Sequence, residues 1–253
     1  MKVAILTGAS SGLGWEFALR IRKTFPDIEQ IWLVARRADR LEKLASLLGD
    51  ALGGTRVLPL DLGGDFEEEY AALLEHEKPR GSLLINCAGC GYLDTFETAD
   101  PAELRRMTEL NITALTLFTR LTLPYMGWGG RIINVSSIAS FVPTPRMAVY
   151  SSTKSYVSAL SAALREELRG RGIVVTCVCP GPMNTEFLDV GNIKGNSNAF
   201  KVLPYCNPGF VASGALHASL HRHGVYTPRL FYKLYRGIAK LAPQNLLIKF
   251  TGV

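Results

Sequence analysis

The strongest constraint on the fold of this chain is a regular alternation between short apolar runs and longer segments with helical patterning. The apolar runs are rich in Val, Ile and Leu and almost continuously hydrophobic, which is typical of strands buried on both faces of a sheet. They cover Val3–Thr7, Gln30–Ala35, Arg56–Leu60, Leu83–Cys87, Arg131–Ser136, Val174–Cys179 and Val225–Thr227. The helical segments are Gly12–Thr24, Asp39–Leu48, Phe66–His76, Pro101–Tyr125, Tyr150–Arg169 and Pro208–Arg222. Because parallel strands need long crossovers, this order predicts an α/β fold: a doubly wound, seven-stranded parallel sheet flanked by helices.

Length and composition favour a single domain. The chain has 253 residues, 47% of them hydrophobic, and α/β domains often reach about 250 residues. No apolar run reaches the roughly 18–20 residues that cross a bilayer, and the segment before the first glycines is too short for a signal peptide. We therefore predict a cytoplasmic protein with one domain over residues 1–227 and a helical C-terminal extension over residues 228–253.

Positive charge is concentrated in that extension. Lys and Arg number 28 against 22 Asp and Glu, a formal net charge of +6. Five cations and no anion lie between residue 226 and the end, so the rest of the chain is close to neutral. A nucleic-acid partner is not predicted, because basic clusters with aromatic or groove-reading signatures are missing elsewhere.

The extension also predicts an amphipathic helix. Leu230, Leu234, Ile238 and Leu241 recur at helical spacing and form one apolar stripe, with the cations mostly off it. Such a stripe can pack on the body of the protein or on a second subunit, and it can cap a substrate pocket. A basic amphipathic helix can also make peripheral contact with an anionic membrane surface.

A glycine-rich turn follows the first predicted strand. Its candidate binding residues are Gly8, Ser10, Ser11, Gly12, Leu13 and Gly14. A turn of this kind lets the backbone approach a pyrophosphate, to which the N-terminus of the next helix donates N–H groups. The spacing is G-x-x-x-G-x-G and not G-x-G-x-x-G, and an ordinary tight turn is the alternative interpretation.

Two arginines follow the second predicted strand. In a dinucleotide-binding fold this position faces the adenosine ribose, where an acid binds the 2′-hydroxyl of NAD and an arginine accommodates the 2′-phosphate of NADP. Arg36 and Arg37 therefore favour NADP, since the guanidinium fork matches phosphate. The alternative is a solvated arginine pair before a helix that Asp39 caps. NAD is kept as a second choice of cofactor.

A tyrosine and a lysine four residues apart suggest proton chemistry. If Tyr150 opens a helix, Tyr150 and Lys154 share one face of it. A phenol has a pKa near 10, and a nearby ammonium lowers it. Such a tyrosine can exchange a proton with the oxygen of a carbonyl/alcohol pair. The hydroxyl of Ser137, just after a predicted strand, could hydrogen-bond the same oxygen.

The five cysteines are scattered, which indicates a reducing compartment. Cys87 and Cys90 form a C-x-x-C that could be a redox pair, but no second pair of ligands completes a metal set. Cys177 and Cys179 lie on a strand-like run and are predicted to be small core residues. The sequence therefore predicts no metal site.

Several motifs occur in a fixed order along the chain. They are TGASSGLG from Thr7 to Gly14, N-x-A-G from Asn86 to Gly89, Asn111, Ser137, Tyr150 with Lys154, and Pro180-Gly181 before Thr185. Together they resemble the short-chain dehydrogenase/reductase family over residues 1 to about 227. The resemblance implies a Rossmann-like oxidoreductase similar to NADP-preferring carbonyl reductases and hydroxysteroid dehydrogenases. It also implies a homodimer or homotetramer, with Pro101–Tyr125 and Tyr150–Arg169 as interface helices.

The same resemblance implies a role for each matching residue. Tyr150 would be the catalytic acid/base, and Lys154 would lower its pKa and hold the nicotinamide ribose. Ser137 would orient the substrate oxygen, and Asn111 would hold a water in a proton relay. Ser136 is expected to bond the backbone instead of the substrate. The implied cofactor contacts are the glycine turn, Arg36, Arg37, Asp61, Leu62, Asn86, Ala88, Gly89, Tyr150, Lys154, Pro180, Gly181 and Thr185.

The segment from about residue 186 to 207 is expected to be a mobile lid over the substrate. Apolar side chains in and near it suggest a hydrophobic pocket, although ordinary lid packing explains them equally well. They are Phe141, Val142, Pro143, Met147, Phe187, Leu188, Phe200, Val202, Leu203 and Tyr205. A steroid, a bile acid or a lipid-like ketone is the predicted substrate class. The alternative function is a non-catalytic NADP-binding sensor of the same fold.

Overall fold

A computed structural model describes residues 1–49, 53–193 and 195–252 of the chain. Lys194, inside the predicted lid, and Val253, at the end of the extension, lie outside the described residues. The strands are β1 (Lys2–Thr7), β2 (Gln30–Val34), β3 (Thr55–Leu58), β4 (Arg80–Asn86), β5 (Met126–Val135), β6 (Val174–Val178) and β7 (Val225–Tyr226). They form one parallel sheet in the order β3-β2-β1-β4-β5-β6-β7. This confirms the predicted seven-stranded, doubly wound architecture.

Eleven α-helices are found in the described residues. They are α1 (Gly12–Thr24), α2 (Ala38–Leu48), α3 (Glu67–Glu77), α4 (Pro101–Thr108), α5 (Leu115–Thr122), α6 (Ala148–Glu167), α7 (Glu186–Val190), α8 (Asn198–Val202), α9 (Pro208–Leu220), α10 (Leu230–Leu241) and α11 (Gln244–Leu247). Within this part of the chain, no helix combines the length and the apolar character that a membrane crossing needs.

Both faces of the sheet are covered, which explains why its strands are apolar along their whole length. On one face, Phe17 and Ile21 of α1 join Leu41 of α2 in the core. On the other, Tyr70 of α3 stacks on Phe118 of α5 with ring centroids 4.0 Å apart. The strand order reverses between β1 and β4. In sheets of this type, ligands bind at the carboxyl ends of the strands beside such a reversal.

The segment Pro101–Tyr125 is helical throughout, as predicted, but it is not one continuous α-helix. A π-helical turn over Glu109–Ala114 separates α4 from α5, and a 3₁₀ turn over Leu123–Tyr125 ends the segment. The π turn contains Asn111, whose side chain hydrogen-bonds the backbone of Cys90. Inserted turns of this kind are frequent at functional sites, because they re-aim one side chain without ending the helix.

Other predicted boundaries also differ. Strand β5 starts at Met126 and not at Arg131, because its glycine-rich first half has no apolar signature. Tyr150 lies in the first turn of α6 but does not open it. Asp39 does not cap α2: the capping position is Arg37, and Asp39 lies within the first helical turn.

Candidate active site

A cavity of about 870 Å³ opens at the carboxyl ends of the strands. Its wall begins at the glycine turn, passes the two arginines and the Tyr150 region, and ends at the lid and the C-terminal extension. The predicted site residues on this wall are Gly8, Ser10, Ser11, Gly12, Leu13, Gly14, Arg36, Arg37, Asp61, Leu62, Ala88, Gly89, Ser137, Tyr150, Lys154, Pro180, Gly181 and Thr185. Asn86 and Asn111 lie behind it. Residues scattered over the sequence are thus gathered into one site.

The glycine turn is packed too tightly for side chains. Gly8 has φ +71°, and a Cβ there would lie 2.7 Å from the backbone nitrogen of Ala88. A Cβ on Gly14 would overlap the carbonyl oxygen of Gly8. The Thr7 hydroxyl accepts hydrogen bonds from the backbone N–H groups of Cys87 (3.0 Å) and Ala88 (3.2 Å). This cradle leaves bare backbone facing the cavity, as the phosphates of a dinucleotide require.

The start of α1 is open to a ligand. Ser11 precedes the helix, but its side chain makes no capping hydrogen bond. The first N–H groups of a helix lack partners within the helix and carry partial positive charge. Since Ser11, Gly12 and Leu13 all line the cavity, these groups suit a pyrophosphate.

The arginines after β2 line the cavity next to this turn. Arg37 donates to the hydroxyl of Ser10 (Nη2–Oγ 3.1 Å) and pairs with the carboxylate of Glu186 (2.9 Å). The Arg36 guanidinium lies 3.8 Å from the Asp61 carboxylate. Both arginines are exposed and precede α2, as in the solvated-pair interpretation, but Arg37 also connects the glycine turn to Glu186. Guanidinium groups at this place fit the 2′-phosphate of NADP.

Ser137, Tyr150 and Lys154 converge at the centre of the cavity. Ser137 is the second residue after β5, and its hydroxyl hydrogen-bonds the Tyr150 phenol. Lys154 lies one turn further along α6, with its ammonium 5.8 Å from the centroid of the Tyr150 ring. The same ammonium donates to the carbonyl oxygen of Val135 (3.1 Å). The three side chains are largely buried yet line the cavity.

Burial dominates the electrostatics of this cluster. It raises the pKa of Tyr150 to about 12, although the hydrogen bond with Ser137 acts in the opposite direction. Burial also lowers the pKa of the Lys154 ammonium. The net shift of the Tyr150 pKa is therefore upward, because desolvation of the phenolate is the larger effect, and a lowering by Lys154 stays a prediction. At neutral pH the phenol carries its proton and can donate it.

We expect Tyr150 to resist ionisation in the protein without added nucleotide. A tyrosine with its ordinary pKa is about half ionised near pH 10, whereas Tyr150 should still be protonated. Tyrosinate absorbance, titrated for the wild type and for Tyr150→Phe, should therefore be the same for both near pH 10. In denaturant the wild type should show one additional ionising tyrosine. A wild-type excess of tyrosinate in the folded state below pH 10 would contradict the pKa direction.

The two asparagines behind the cavity support its wall. Asn111 accepts from the N–H of Cys90 (2.9 Å) and donates to its carbonyl (2.8 Å) and to Thr153 (3.1 Å). Asn86 donates to Thr119 and Asn134, both at 2.8 Å. The side chain of Asn111 thus holds the loop after β4 in place, and its implied water-holding role remains a prediction.

Ser136, next to Ser137, bonds the backbone. Its hydroxyl donates to the backbone carbonyl of Lys154 (2.7 Å), as expected.

The pKa values of the two cysteines in the C-x-x-C bear on its redox interpretation. Burial raises the pKa of Cys87 to about 12 and also raises that of Cys90. Because the thiolate is the reactive form of cysteine, this disfavours the redox interpretation of the C-x-x-C. Cys177 and Cys179 are buried in the core, as predicted.

The predicted lid segment packs against the site. Phe187 of α7 packs on the Tyr150 ring with centroids 5.7 Å apart, and the N–H of Leu93 donates to the carbonyl of Gly191 (3.0 Å). The predicted pocket residues that line the cavity are Met147, Phe187, Leu188, Phe200 and Leu203. Phe141, Val142, Pro143, Val202 and Tyr205 are not on its wall, and Val202 points into solvent.

The C-terminal extension forms part of the cavity wall, which agrees with a capping role. Tyr232 is fully buried, packs against Gly181 and donates to the carbonyl of Pro204 (2.8 Å). The extension residues on the wall are Phe231, Tyr232, Tyr235, Thr251 and Gly252. The apolar stripe faces the other way: Leu230 is 71% exposed and Leu241 90%. The alternative that this stripe packs on the body of the protein is therefore wrong.

Some wall residues had no signal in the sequence. Gly91 and Tyr92 belong to an irregular loop after β4, and Arg106 lies on α4 among other charged residues. A Cβ on Gly91 would lie 2.6 Å from the Tyr150 ring, so this glycine makes room for the tyrosine. None of these positions follows a periodic pattern or a motif that would mark it in advance.

The fold and the site together define a dinucleotide-binding oxidoreductase with a Ser-Tyr-Lys centre. The family model of short chain dehydrogenases matches residues 2–193. Serine 3-dehydrogenase of Agrobacterium fabrum is 34% identical over 207 residues, which are 78% of this chain and 79% of that protein. The chain therefore belongs to the short-chain dehydrogenase/reductase family.

Two solved structures extend the likeness to the whole chain. A short-chain dehydrogenase from Sphingobium yanoikuyae in complex with NADPH is similar at a TM-score of 0.81 and 28% identity, covering 98% of this chain and 95% of that one. The bulky-bulky ketone specific alcohol dehydrogenase from Comamonas testosteroni is similar at a TM-score of 0.76 and 26% identity, with 98% and 94% covered.

Proposed function

We propose that this protein is an NADP-dependent oxidoreductase that interconverts a bulky hydrophobic ketone and its secondary alcohol. One observation carries the proposal: Ser137, Tyr150 and Lys154 meet at the middle of a cavity that begins at a phosphate-binding turn and ends between apolar walls. When bound there, the nicotinamide cofactor supplies or accepts the hydride. The side chains of the protein handle the proton and the orientation of the substrate.

The residues around the cavity suit NADP better than NAD. The glycine turn and the start of α1 would hold the pyrophosphate, and Arg36 and Arg37 the 2′-phosphate. Asp61, Leu62, Ala88 and Gly89 would border the adenosine. The similar Sphingobium yanoikuyae enzyme is in complex with NADPH, which supports this choice, and NAD remains the second choice.

The protonated phenol of Tyr150 is the acid of the reduction. It would donate its proton to the carbonyl oxygen as the hydride arrives, and the hydroxyl of Ser137 would donate a hydrogen bond to the same oxygen. Lys154 would hold the nicotinamide ribose and stabilise the phenolate that remains. In the oxidation direction the same tyrosine would take the proton back.

The walls of the substrate end favour a large apolar molecule. Phe187, Leu188 and Leu203 approach from the lid, and Phe231 and Tyr235 from the C-terminal extension. The similar Comamonas testosteroni enzyme is specific for bulky-bulky ketones. We therefore propose a steroid, a bile acid or a lipid-like ketone, as for a hydroxysteroid dehydrogenase.

We expect purified protein to oxidise NADPH with a bulky hydrophobic ketone and to act poorly on small aliphatic ones. The measurement is nucleotide absorbance with NADPH and with NADH over a panel from acetone to steroid and bile-acid ketones. The best cofactor should be NADPH. The alternative, a non-catalytic NADP-binding sensor, would be supported by tight NADPH binding with no turnover anywhere in the panel.

The partners and the location are proposed from the same features. A homodimer or homotetramer would use the 101–125 segment and α6 as its interface. The exposed face of α10, with cations and no anion around it, suits peripheral contact with an anionic membrane surface. A cytoplasmic location completes the proposal.

A further inference from the structure

One carboxylate connects the lid to the arginines of the cofactor site. Glu186, the first residue of α7, places one oxygen 2.9 Å from Arg37 and the other 2.9 Å from Arg40. Both ion pairs are partly exposed, and the two arginines hold the pKa of Glu186 below its ordinary value. Arg37 also donates to Ser10 in the glycine turn. A single guanidinium is thus shared between the phosphate-binding turn and the lid.

Several other contacts of α7 and of the residue after it do not involve the arginines. Phe187 packs on Tyr150, Leu188 is buried, and Gly191 accepts a hydrogen bond from Leu93. Glu186 is therefore a direct contact between α7 and the side of the cavity where Arg36 and Arg37 lie. A change at Arg37 would reach the lid through Glu186 without disturbing the apolar contacts.

A 2′-phosphate and the Glu186 carboxylate would compete for the same donors. A phosphate monoester carries about −1.5 to −2 charges near pH 7 and binds guanidinium groups bidentately. It would attract Arg37 more strongly than a single carboxylate does, and it would repel Glu186. The 2′-hydroxyl of NAD has no charge and creates no such conflict. Arg40 does not line the cavity, so it can keep its pair with Glu186.

We propose that Glu186 is a specificity-determining residue that competes with the 2′-phosphate for Arg37 and so makes the lid responsive to NADP but not to NAD. The inference rests on the proposed use of NADP at this site. In the free protein, Glu186 neutralises Arg37 and keeps the start of α7 against the cofactor site. Binding of the 2′-phosphate replaces Glu186 at Arg37, at a cost in NADPH affinity.

The test is Glu186→Gln, with nucleotide affinity measured by fluorescence in the absence of substrate. Because an exposed ion pair is worth at most about 1 kcal/mol, the variant should bind NADPH about threefold to fivefold more tightly. Its Kd for NADH should stay within about twofold. The control is Glu77→Gln, which removes one negative charge and the contacts of Glu77 with Arg56 (2.7 Å) and His76 (3.2 Å), away from the cavity. The control should change neither Kd.

Amide hydrogen exchange provides a second readout that needs no turnover. In the wild type, NADPH should change exchange over residues 186–193 more than NADH does. In Glu186→Gln, that difference between the two nucleotides should be lost, because the contact that conveys it is missing. Weaker NADPH binding by Glu186→Gln, or equal tightening for both nucleotides, would overturn the inference.

The cofactor proposal and this inference can fail separately. If the wild type prefers NADPH and Glu186→Gln leaves that preference unchanged, the competition is disproved and the cofactor proposal stands. If the wild type binds both nucleotides equally and only the variant prefers NADPH, Glu186 competes as inferred and the NADP preference of the natural protein is disproved.

Discussion

Replacing Tyr150 by phenylalanine is expected to lower kcat by about 10²- to 10⁴-fold, the usual contribution of a positioned acid or base. The substitution removes one oxygen from a ring that otherwise keeps its contact with Phe187. The apolar packing should therefore survive, and the Kd for NADPH should change little. Steady-state kinetics with the best ketone and nucleotide binding by fluorescence measure the two quantities on the same preparation.

Tyr156→Phe is the matched control. Tyr156 belongs to the same helix, and its hydroxyl hydrogen-bonds Thr116 (2.8 Å) away from the cavity wall. Its removal should leave kcat within about twofold, because an exposed or partly buried hydroxyl contributes to stability and not to the reaction. Equal kcat for Tyr150→Phe and Tyr156→Phe would disprove the role of Tyr150 as the acid.

Replacing Gly14 by alanine is expected to destabilise the fold by about 3 kcal/mol, since an added methyl group has no space there. The new Cβ would overlap the carbonyl oxygen of Gly8, a backbone atom that no rotamer change can move away. Relief requires a shift of α1 relative to the glycine turn. We expect the melting temperature to fall by about 6–12 °C and NADPH binding to weaken, with calorimetry and fluorescence as the measurements.

At Gly237, replacement by alanine is expected to raise the stability of the fold instead of lowering it. This glycine lies in the exposed interior of α10, and a Cβ there meets no atom within 4 Å. Because alanine is the better helix former, Gly237→Ala should stabilise the protein by about 0.5–1 kcal/mol. A melting temperature for Gly14→Ala at or above that of the wild type would show that the turn is less tightly packed than the structure has it.

The hydrophobic pattern of the sequence predicted the strands that are buried on both faces of the sheet. Strands such as β1 and β6 are buried along nearly their whole length, so their sequences are continuously apolar and easy to recognise. The π turn inside 101–125 was missed. It places Asn111 against the backbone of Cys90, which is distant in sequence, and nothing in the local periodicity marks that contact.

Chemistry that depends on residue type was also visible in the sequence. The sequence alone indicated the glycine turn, the Arg36–Arg37 pair, and the set of Ser137, Tyr150 and Lys154. Phosphate binding and proton transfer each need particular functional groups, so residues of these types can be recognised before the structure is known. Their protonation could not be predicted in the same way. The sequence suggested that Lys154 lowers the pKa of Tyr150, whereas burial raises it, and burial is a property of the whole fold.

By itself, then, the sequence determined the order of strands and helices, the glycine turn and the functional groups that we propose for the reaction, since these follow from local periodicity and side-chain chemistry. Only the tertiary structure decided how distant segments meet. It turned the apolar stripe of α10 to solvent and put the opposite face of that helix on the cavity. It also joined Glu186 to Arg37 and Arg40. Such pairings depend on packing across the molecule, and local spacing carries no information about them.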